Sequence, residues 1–266
     1  DVNSAKAINR IAAKKGVKAK VHLKIDTGMG RLGTWHDEAA DFIKQSFELK
    51  HLIVDGIFTH FASADEDSIF TNQQTKNFLS LLKELDDMGI YVKYRHAANS
   101  AAVINYKGSH FNLVRPGIMV YGLYPDVNLR KKITLKPALT LKSNISYIKD
   151  APPGRRISYG GTYVTKKHTR IAIVSIGYGD GYNRLLSNKG KVLINGKKVA
   201  VVGRVCMDQI MVDVGTIGKV AVGDEVVLIG RQGPNRITAE EIASICHTIP
   251  YEVTCWVSSR VPRVYV

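Results

Sequence analysis

The order of strand-like and helix-like segments changes near residue 125. Before that point, apolar strand-like runs alternate with segments of helical periodicity, and after it short strand-like runs follow one another, separated by glycine turns. The first four runs are VHLKID, LIVDGIFTHF, VKYRHAA and LVRPGIMVYG, and Ser4 is the expected cap of the helix before them. The six later runs are ALTLKSNISYI, RIAIVSIGY, KVLI, KKVAVVG, QIMVDVG and DEVVLIG, and Thr238 is the expected cap of a helix at residues 239–246. Alternation of strands with helices is typical of a parallel sheet. We therefore expect an α/β domain at residues 1–125 and a β-rich domain at residues 126–266.

The first strand ends in the run HLKIDTGMGRLG, which carries Lys24, Asp26 and Arg31 around a glycine turn. Its glycines have the GxGxxG spacing of a dinucleotide-binding turn, and Asp55 follows at a tolerable distance for a ribose contact. However, Lys24 would put a charge where a strand of that fold has aliphatic side chains, and Asp55 does not end a strand. An NAD-dependent oxidoreductase is therefore the second interpretation.

Composition excludes several classes of protein. The 266 residues are 45% hydrophobic, which is typical of a globular chain, and no signal peptide or membrane span is visible. Three cysteines form neither a CxxC motif nor an even set, which argues against a structural zinc site or a secreted disulfide scaffold. The net charge of +15 comes from dispersed Lys and Arg, so nucleic-acid binding is not favoured. We expect a cytoplasmic protein that binds neither membrane nor nucleic acid.

Polar side chains lie near the ends of the first strands. His60 follows the second strand, Asn99 and Ser100 follow the third, and Arg115 lies in the fourth. Active sites of (β/α)8 barrels form at the carboxyl ends of the strands. Ser100 opens a helix, where it either caps the helix or helps to hold a phosphate. Arg115 either forms a structural salt bridge or faces a ligand, and His60 could equally be a core histidine.

Eight blocks occur in order along nearly the whole chain: HLKIDTGMGRLG, THFASADE, HAANSAA, VRPGIMVYGLYP, SYGGTYVT, IGYGDGYNR, GRVCMDQIMVDV and IPYEVTC. Together they resemble bacterial alanine racemase, a fold-type III pyridoxal-phosphate enzyme. The resemblance implies the C-terminal half of a (β/α)8 TIM-like barrel, followed by a β-rich C-terminal domain. The family's cofactor lysine lies in a motif like KANAYGHG, which these residues lack. We expect that lysine to lie upstream of Asp1, so that this chain alone would be inactive.

The resemblance assigns the cofactor contacts. Arg115 matches the arginine that faces the pyridine nitrogen, and His60 matches the histidine that supports it and links it to Tyr159. Because a guanidinium does not give up its proton, the ring nitrogen would stay unprotonated, which weakens the electron sink and favours return of one α-proton over side reactions. The remaining cofactor-binding positions, chiefly around the phosphate, are Asn99, Ser100, Gly117, Ile118 and Tyr251.

The resemblance also implies interconversion of L- and D-alanine through an aldimine of pyridoxal phosphate, with one base on each face of the α-carbon. Tyr159 matches one base, and the upstream lysine would be the other. A phenol has an ordinary pKa of about 10, so positive charge must lie nearby if it is to act near neutral pH. Arg115 and His60 are the candidate sources. The alternative is a broader-specificity amino-acid (serine) racemase of the same fold. The expected product is D-alanine, which would serve peptidoglycan synthesis.

The remaining matches concern the substrate and the oligomer. Arg31 and the backbone of Met207, in the loop with Cys206 and Asp208, match the substrate carboxylate contacts. Lys24 is conceivable as a Schiff-base lysine, but it aligns with a lysine that some family members carbamylate to orient Arg31; an unmodified Lys24 paired with an acid or an anion is equally open. A homodimer with shared sites is implied. In the family, the amino acid enters through a corridor, and the residues that match its lining are Asp65, Arg184, Arg204 and Ile249.

Overall fold

The computed structural model describes residues 1–266 and divides into two compact units. The first unit comprises Asp1–Val120 and Lys131–Ile133, and the second comprises Tyr121–Arg130 and Thr134–Val266. None of the helices combines the length and the apolar composition that crossing a membrane requires.

The first unit alternates helices with the strands of a parallel sheet. Its elements are α1 (Val2–Lys14), β1 (Ala19–Asp26), β2 (Thr34–Trp35), α2 (Ala39–Phe47), β3 (Leu52–Phe58), α3 (Ser68–Asp87), β4 (Tyr94–His96) and α4 (Ser100–Asn105). The strand order is β2-β1-β3-β4, and every pairing is parallel. Ile43 of α2 and Phe78 of α3 are fully buried and belong to the same apolar cluster as Ile25 and Ile57 of the sheet. This packing confirms the predicted α/β alternation.

Two predictions for the first unit were wrong. The expected fourth strand is reduced to one parallel bridge between His96 and Leu113, and a 3-10 helix follows at Ile118–Tyr121. Pro116 explains the interruption, because it has no N–H to donate to a sheet ladder. The first helix is capped by Asp1, whose side chain accepts backbone N–H groups, and not by Ser4.

The second unit is built mainly on an antiparallel sheet. Its strands are β5 (Leu141–Ala151), β6 (Arg156–Ile157), β7 (Tyr163–Val164), β8 (Thr169–Val174), β9 (Lys191–Ile194), β10 (Lys197–Ala200), β11 (Ile210–Asp213), β12 (Glu225–Gln232) and β13 (Asn235–Ile237). The order is β10-β9-β12-β5-β8-β11, and β13 pairs with β12. A bridge between Val201 and Val212 joins the chain after β10 to β11. The β-rich prediction is confirmed.

Two helices complete the second unit, α5 (Ala239–Cys246) and α6 (Pro250–Trp256). The predicted cap of α5 is confirmed, because the side chain of Thr238 accepts the N–H of Glu241 at 3.1 Å. The side chain of Glu241 forms an ion pair with Lys198 at 3.0 Å.

Tyr182 of the second unit has a buried hydroxyl without a hydrogen-bond partner. We expect Tyr182→Phe to raise the free energy of unfolding by about 1 kcal/mol, because an unsatisfied buried polar group is removed without a change of shape. Urea unfolding measures the effect. Tyr163→Phe is the matched control, since it loses a hydrogen bond of 3.1 Å to Asp213 and should destabilise the protein. Equal destabilisation by the two variants would contradict the expectation.

Candidate active site

The glycine turn after β1 wraps around the carboxylate of Asp26. This carboxylate accepts the N–H groups of Gly28 at 2.9 Å, Met29 at 2.8 Å and Arg31 at 3.1 Å. Burial raises the pKa of Asp26, but the backbone donors of the turn and the charge of Lys24 outweigh it, so the pKa lies below its ordinary value. These N–H groups are therefore occupied and do not form a pyrophosphate site. The NAD-dependent interpretation is not favoured.

Lys24 lies on β1 and has no carboxylate ion-pair partner. Its Nζ donates to the carbonyl of the next residue at 2.9 Å and lies 5.7 Å from the centroid of the Phe58 ring. Burial lowers the pKa of Lys24; Asp26 opposes this effect, whereas Arg115 and Arg31 reinforce it. A larger fraction of this amine is therefore neutral than of an exposed lysine.

Arg115 is held by acceptors on the neighbouring strand ends. Its NH2 donates to the carbonyl oxygens of Thr59 at 2.7 Å and Ala97 at 3.0 Å, and its NH1 donates to Nδ1 of His96 at 2.5 Å. The guanidinium also lies 5.0 Å from the centroid of the Phe58 ring. Burial lowers the pKa of Arg115 to about 10, which keeps it charged at neutral pH. The N–H of Nε and one N–H of NH1 have no acceptor in the chain and are free for a ligand.

Two histidines flank Arg115. His60 Nδ1 lies 3.4 Å from NH2 of Arg115. Burial lowers the pKa of His60 to about 4, and the positive charges of Arg115, Arg31 and Lys24 act in the same direction. Burial, the charge of Arg115 and the neighbouring His22 likewise lower the pKa of His96 to about 4. Both imidazoles are therefore neutral at pH 7 and can serve as hydrogen-bond acceptors.

These two pKa values predict a loss of stability in acid. The unfolded chain binds protons at histidine near pH 6.5, whereas His60 and His96 in the folded protein bind them near pH 4. The free energy of unfolding should therefore fall as the pH drops through this window. Urea unfolding at a series of pH values measures the slope. The double variant His60→Gln, His96→Gln should flatten it, and an unchanged slope would contradict the assignment.

Ser100 is the first residue of α4, and Asn99 is the cap. The side-chain oxygen of Asn99 accepts the N–H of Ala102 at 3.0 Å. The interpretation of Ser100 as a simple helix cap is therefore wrong, and its hydroxyl serves another contact.

That contact is the segment after Arg115. The hydroxyl oxygen of Ser100 accepts the N–H of Gly117 at 2.8 Å and, more weakly, that of Met119 at 3.4 Å. The backbone N–H groups of Ser100 and Ile118 have no acceptor in the chain. Ser100 is buried and polar, and unpaired donors lie on both segments. This arrangement fits the phosphate of a cofactor.

In the second unit, Tyr159 begins a 3-10 turn at Tyr159–Gly161. The hydroxyl of Ser158 donates to the carbonyl of Arg204 at 2.6 Å. Gly160 has a φ of +69°, and a Cβ there would lie 3.3 Å from the Arg204 guanidinium. The turn is thus packed against Arg204, and 71% of the Tyr159 surface stays exposed. The phenol is free to contact a ligand or another chain.

The loop with Cys206 and Met207 is fixed by the glycine-rich run IGYGDGYNR. The carbonyl of Cys206 accepts the N–H of Tyr178 at 3.0 Å, and the carbonyl of Met207 accepts that of Gly179 at 2.9 Å. A Cβ at Gly177 would lie 2.3 Å from both carbonyl oxygens, which explains the glycine. The N–H of Met207 has no acceptor in the chain and remains a candidate contact for a carboxylate.

The other predicted residues lie on surfaces of the two units. Asp208 forms an ion pair with Arg260 at 2.5 Å, and Arg260 also pairs with Asp180 at 3.3 Å, so the Asp208 carboxylate supports the loop. The corridor candidates are all exposed; Asp65 lies in the first unit, and Arg184, Arg204 and Ile249 lie in the second. Tyr251 lies in α6 with 39% of its surface exposed. The roles of these residues remain predictions.

Sequence reasoning missed His96, the acceptor that holds Arg115, and His22, which hydrogen-bonds to His96 at 2.7 Å. A signal was available for His22, because the period-two pattern of β1 places it on the same face as Lys24. No pattern in the short strand β4 distinguishes His96 from a core histidine.

Comparisons with known proteins agree along the chain. The protein-family model described as "Alanine racemase, N-terminal domain" matches residues 1–125, and the family model described as "Alanine racemase, C-terminal domain" matches residues 138–265. The alanine racemase of Halothermothrix orenii is 51% identical over 263 residues, which cover 98% of this chain and 69% of that protein. The solved alanine racemase of Clostridium difficile 630 has a TM-score of 0.93 at 43% identity, and the match covers 100% of this chain and 69% of that one. The alanine racemase of Bartonella henselae, solved with covalently bound pyridoxal phosphate, has a TM-score of 0.86 at 29% identity, with 100% of this chain and 71% of that one covered.

Proposed function

This chain belongs to the alanine racemase family, and on that premise we propose that its polar residues build a site that interconverts L- and D-alanine. Enzymes of this family are pyridoxal-phosphate isomerases. The observation that carries the proposal is the geometry of Arg115. Three strand-end acceptors fix its guanidinium, while two of its N–H groups have no partner. A fixed guanidinium with unpaired N–H donors is the partner that an acceptor such as a pyridine nitrogen requires.

The residues present fit the cofactor. Arg115 would donate to the ring nitrogen, and because it keeps its proton at neutral pH, that nitrogen would stay unprotonated. The hydroxyl of Ser100 and the unpaired backbone N–H groups of Ser100 and Ile118 would hold the phosphate, with Tyr251 adding a phenol. Gly117, whose N–H is donated to Ser100, would line the same site. Asn99 contributes by capping α4 and so fixing the position of Ser100.

Bound pyridoxal phosphate supplies the electron withdrawal that makes the α-hydrogen of the amino acid acidic. Tyr159 would take or return that proton on one face of the α-carbon, with its phenolic oxygen as the proton carrier. His60 would support Arg115 and connect it towards Tyr159. A second base is needed on the opposite face, for which the family uses its cofactor lysine.

Substrate binding would depend on the carboxylate of alanine. Arg31, at the end of the Asp26 turn, and the unpaired N–H of Met207 are its proposed donors. We also propose that Lys24 reacts as a neutral amine with CO2, forming a carbamate and releasing one proton; the anion would orient Arg31. The lowered pKa of Lys24 and its lack of a carboxylate partner support this modification.

The larger assembly is part of the same proposal. We assign the first unit to the C-terminal half of a (β/α)8 barrel, supported by its parallel sheet with intervening helices. We also propose a cytoplasmic homodimer in which the Tyr159 turn and the loop with Cys206 and Asp208 enter the partner's site. The exposure of Tyr159 supports this arrangement. Asp65, Arg184, Arg204 and Ile249 would line the substrate corridor, and the D-alanine would serve peptidoglycan synthesis.

The test is racemisation of L-alanine in D2O by a protein that joins this chain to a family N-terminal segment with the cofactor lysine and is supplied with pyridoxal phosphate. Chiral chromatography with mass detection should find D-alanine that carries deuterium at the α-carbon, and omission of the cofactor should abolish it. L-serine is the matched alternative substrate. Turnover of serine faster than that of alanine, or no turnover of either with the cofactor bound, would overturn the proposal.

A further inference from the structure

Arg115, His96 and His22 form a continuous hydrogen-bonded chain within the first unit. NH1 of Arg115 lies 2.5 Å from Nδ1 of His96, and Nε2 of His96 lies 2.7 Å from Nδ1 of His22. His22 lies on β1 and His96 on β4, with β3 between them in the sheet. The proposed function uses Arg115 and leaves His22 without a role.

The hydrogen bonds of this chain have only one consistent direction. A guanidinium can only donate, so Nδ1 of His96 must be free of a proton. A neutral His96 then has its proton on Nε2, which donates to Nδ1 of His22. His22 therefore has its own proton on Nε2. Burial and the charge of Arg115 lower the pKa of His96 to about 4, which keeps this ring neutral at pH 7.

The backbone around His22 directs its side chain to this position. The pairing of β1 with β3 shifts register between Val21 and His22, and such irregularities re-aim a side chain. On β3, Gly56 pairs with His22 on one side and with Tyr94 on the other. A Cβ at Gly56 would lie 2.9 Å from the Cβ of Tyr94 and 3.0 Å from Cε1 of His22. The glycine leaves the space in which His22 crosses β3 towards β4.

Aromatic neighbours hold the two imidazoles in place. The ring of His96 stacks on Phe58 with 4.9 Å between centroids and an angle of 4°, and the ring of His22 stacks on Tyr94 at 5.6 Å. The guanidinium of Arg115 lies over the same Phe58 ring. Stacking restricts rotation of each ring, so the nitrogen atoms keep the assignment described above.

We propose that His22 is a positioning residue for Arg115 and acts through His96. By accepting the Nε2 proton, His22 holds His96 in the tautomer whose Nδ1 accepts from the guanidinium. Arg115 is thereby fixed with its unpaired N–H groups directed at its ligand. The inference rests on the proposed function only in assigning those groups to the cofactor ring; the tautomer of His96 is independent of it.

The first test is nitrogen NMR of the cofactor-free protein labelled with 15N-histidine, with His96→Gln used to assign the signals of His96. The wild-type protein should show His96 protonated at Nε2 and not at Nδ1. In His22→Leu the Nε2 proton of His96 loses its acceptor and the ring is held less firmly against Arg115, so His96 should become a mixture of tautomers. A wild-type signal from Nδ1–H of His96, or an unchanged His96 tautomer in His22→Leu, would overturn the inference.

The second test is the kinetics of the cofactor-loaded protein. His22→Leu should lower kcat for alanine about 10-fold, the usual scale for a supporting residue, and leave KM unchanged. His22→Asn should restore kcat to near the wild-type value, because its amide oxygen can accept in place of Nδ1. The matched control is His110→Leu. The ring of His110 hydrogen-bonds to the carbonyl of Val103 and to none of the three residues of the chain, so this variant should behave like the wild type.

The outcomes separate the two proposals. Absence of racemisation by the wild-type protein would reject the proposed function and leave the NMR result on His96 standing. Equal loss of kcat in His22→Leu and His22→Asn, with both variants folded by circular dichroism, would reject the positioning role. Should His22→Leu fail to fold, the wild-type NMR spectrum and the kcat of His22→Asn still decide the question.

Discussion

Replacing Tyr159 with phenylalanine is expected to lower kcat for alanine racemisation by about 100- to 10,000-fold, the range that general acid–base catalysis contributes. The variant keeps the aromatic ring and removes only the hydroxyl that carries the proton. One base would remain, so α-hydrogen exchange with D2O should persist for one enantiomer of alanine. Proton NMR in D2O measures exchange and chiral chromatography measures racemisation.

Stability separates this loss from misfolding. Tyr159 is 71% exposed, so Tyr159→Phe should change the free energy of unfolding by less than about 0.5 kcal/mol. Tyr147→Phe is the matched control, since Tyr147 is also an exposed tyrosine of the second unit. Racemisation by Tyr159→Phe at the rate of Tyr147→Phe would contradict the assigned base.

Replacing Arg115 with lysine is expected to lower kcat by about 100- to 1,000-fold, as for loss of a preorganised donor. An ammonium has no planar fork, so it cannot serve His96, the carbonyls of Thr59 and Ala97, and a ring nitrogen at once. Acceptors left unpaired should lower the free energy of unfolding by about 1–3 kcal/mol. Racemisation kinetics and urea unfolding measure the two effects.

The matched control for this variant is Arg95→Lys. Arg95 neighbours His96 on β4, but it pairs with Asp86 at 2.5 Å and its side chain is partly exposed. A surface pair of this kind contributes little, so kcat should stay at the wild-type value. Equal loss of activity in the two variants would show that an arginine without contacts to the site matters as much as Arg115, and the role assigned to Arg115 would then be wrong.

Much of the fold was predictable because the alternation of apolar residues is strong. All six β-rich runs after residue 125 contain strands, and the cap of α5 follows from Thr238. The prediction of a fourth strand in the first unit was wrong for a local reason, because Pro116 interrupts the hydrogen-bond ladder after the single bridge at Leu113. Periodicity alone does not register the loss of one backbone donor.

The candidate site was predictable only in part. Resemblance pointed to Arg115 and Ser100, and the structure shows the contacts that each makes. His22 and His96 lie 74 positions apart, and they meet because Gly56 leaves room across β3. A contact of this kind depends on sheet register, which the sequence pattern of a single strand does not specify.

The GxGxxG run shows how one spacing serves two chemistries. In a dinucleotide site the backbone N–H groups of the turn face a pyrophosphate. Here they face the carboxylate of Asp26, which lies two residues before Gly28 in the same turn. The turn therefore supports Arg31, and the N–H groups of Gly28, Met29 and Arg31 are not available to a nucleotide. Asp26 at the end of β1 therefore distinguishes this turn from a dinucleotide-binding turn.

The proposed racemase site combines residues of two subunits, and complementation between two inactive variants is the sharpest test of this arrangement. Tyr159→Phe and Arg115→Lys chains are co-expressed with different tags, and the hybrid dimer is purified through both. Each parent dimer is defective at both sites, whereas the hybrid would have one site with an intact Tyr159 and an intact Arg115. The hybrid should therefore recover about half of the wild-type racemisation rate per dimer. A hybrid dimer as inactive as its parents would contradict the shared site.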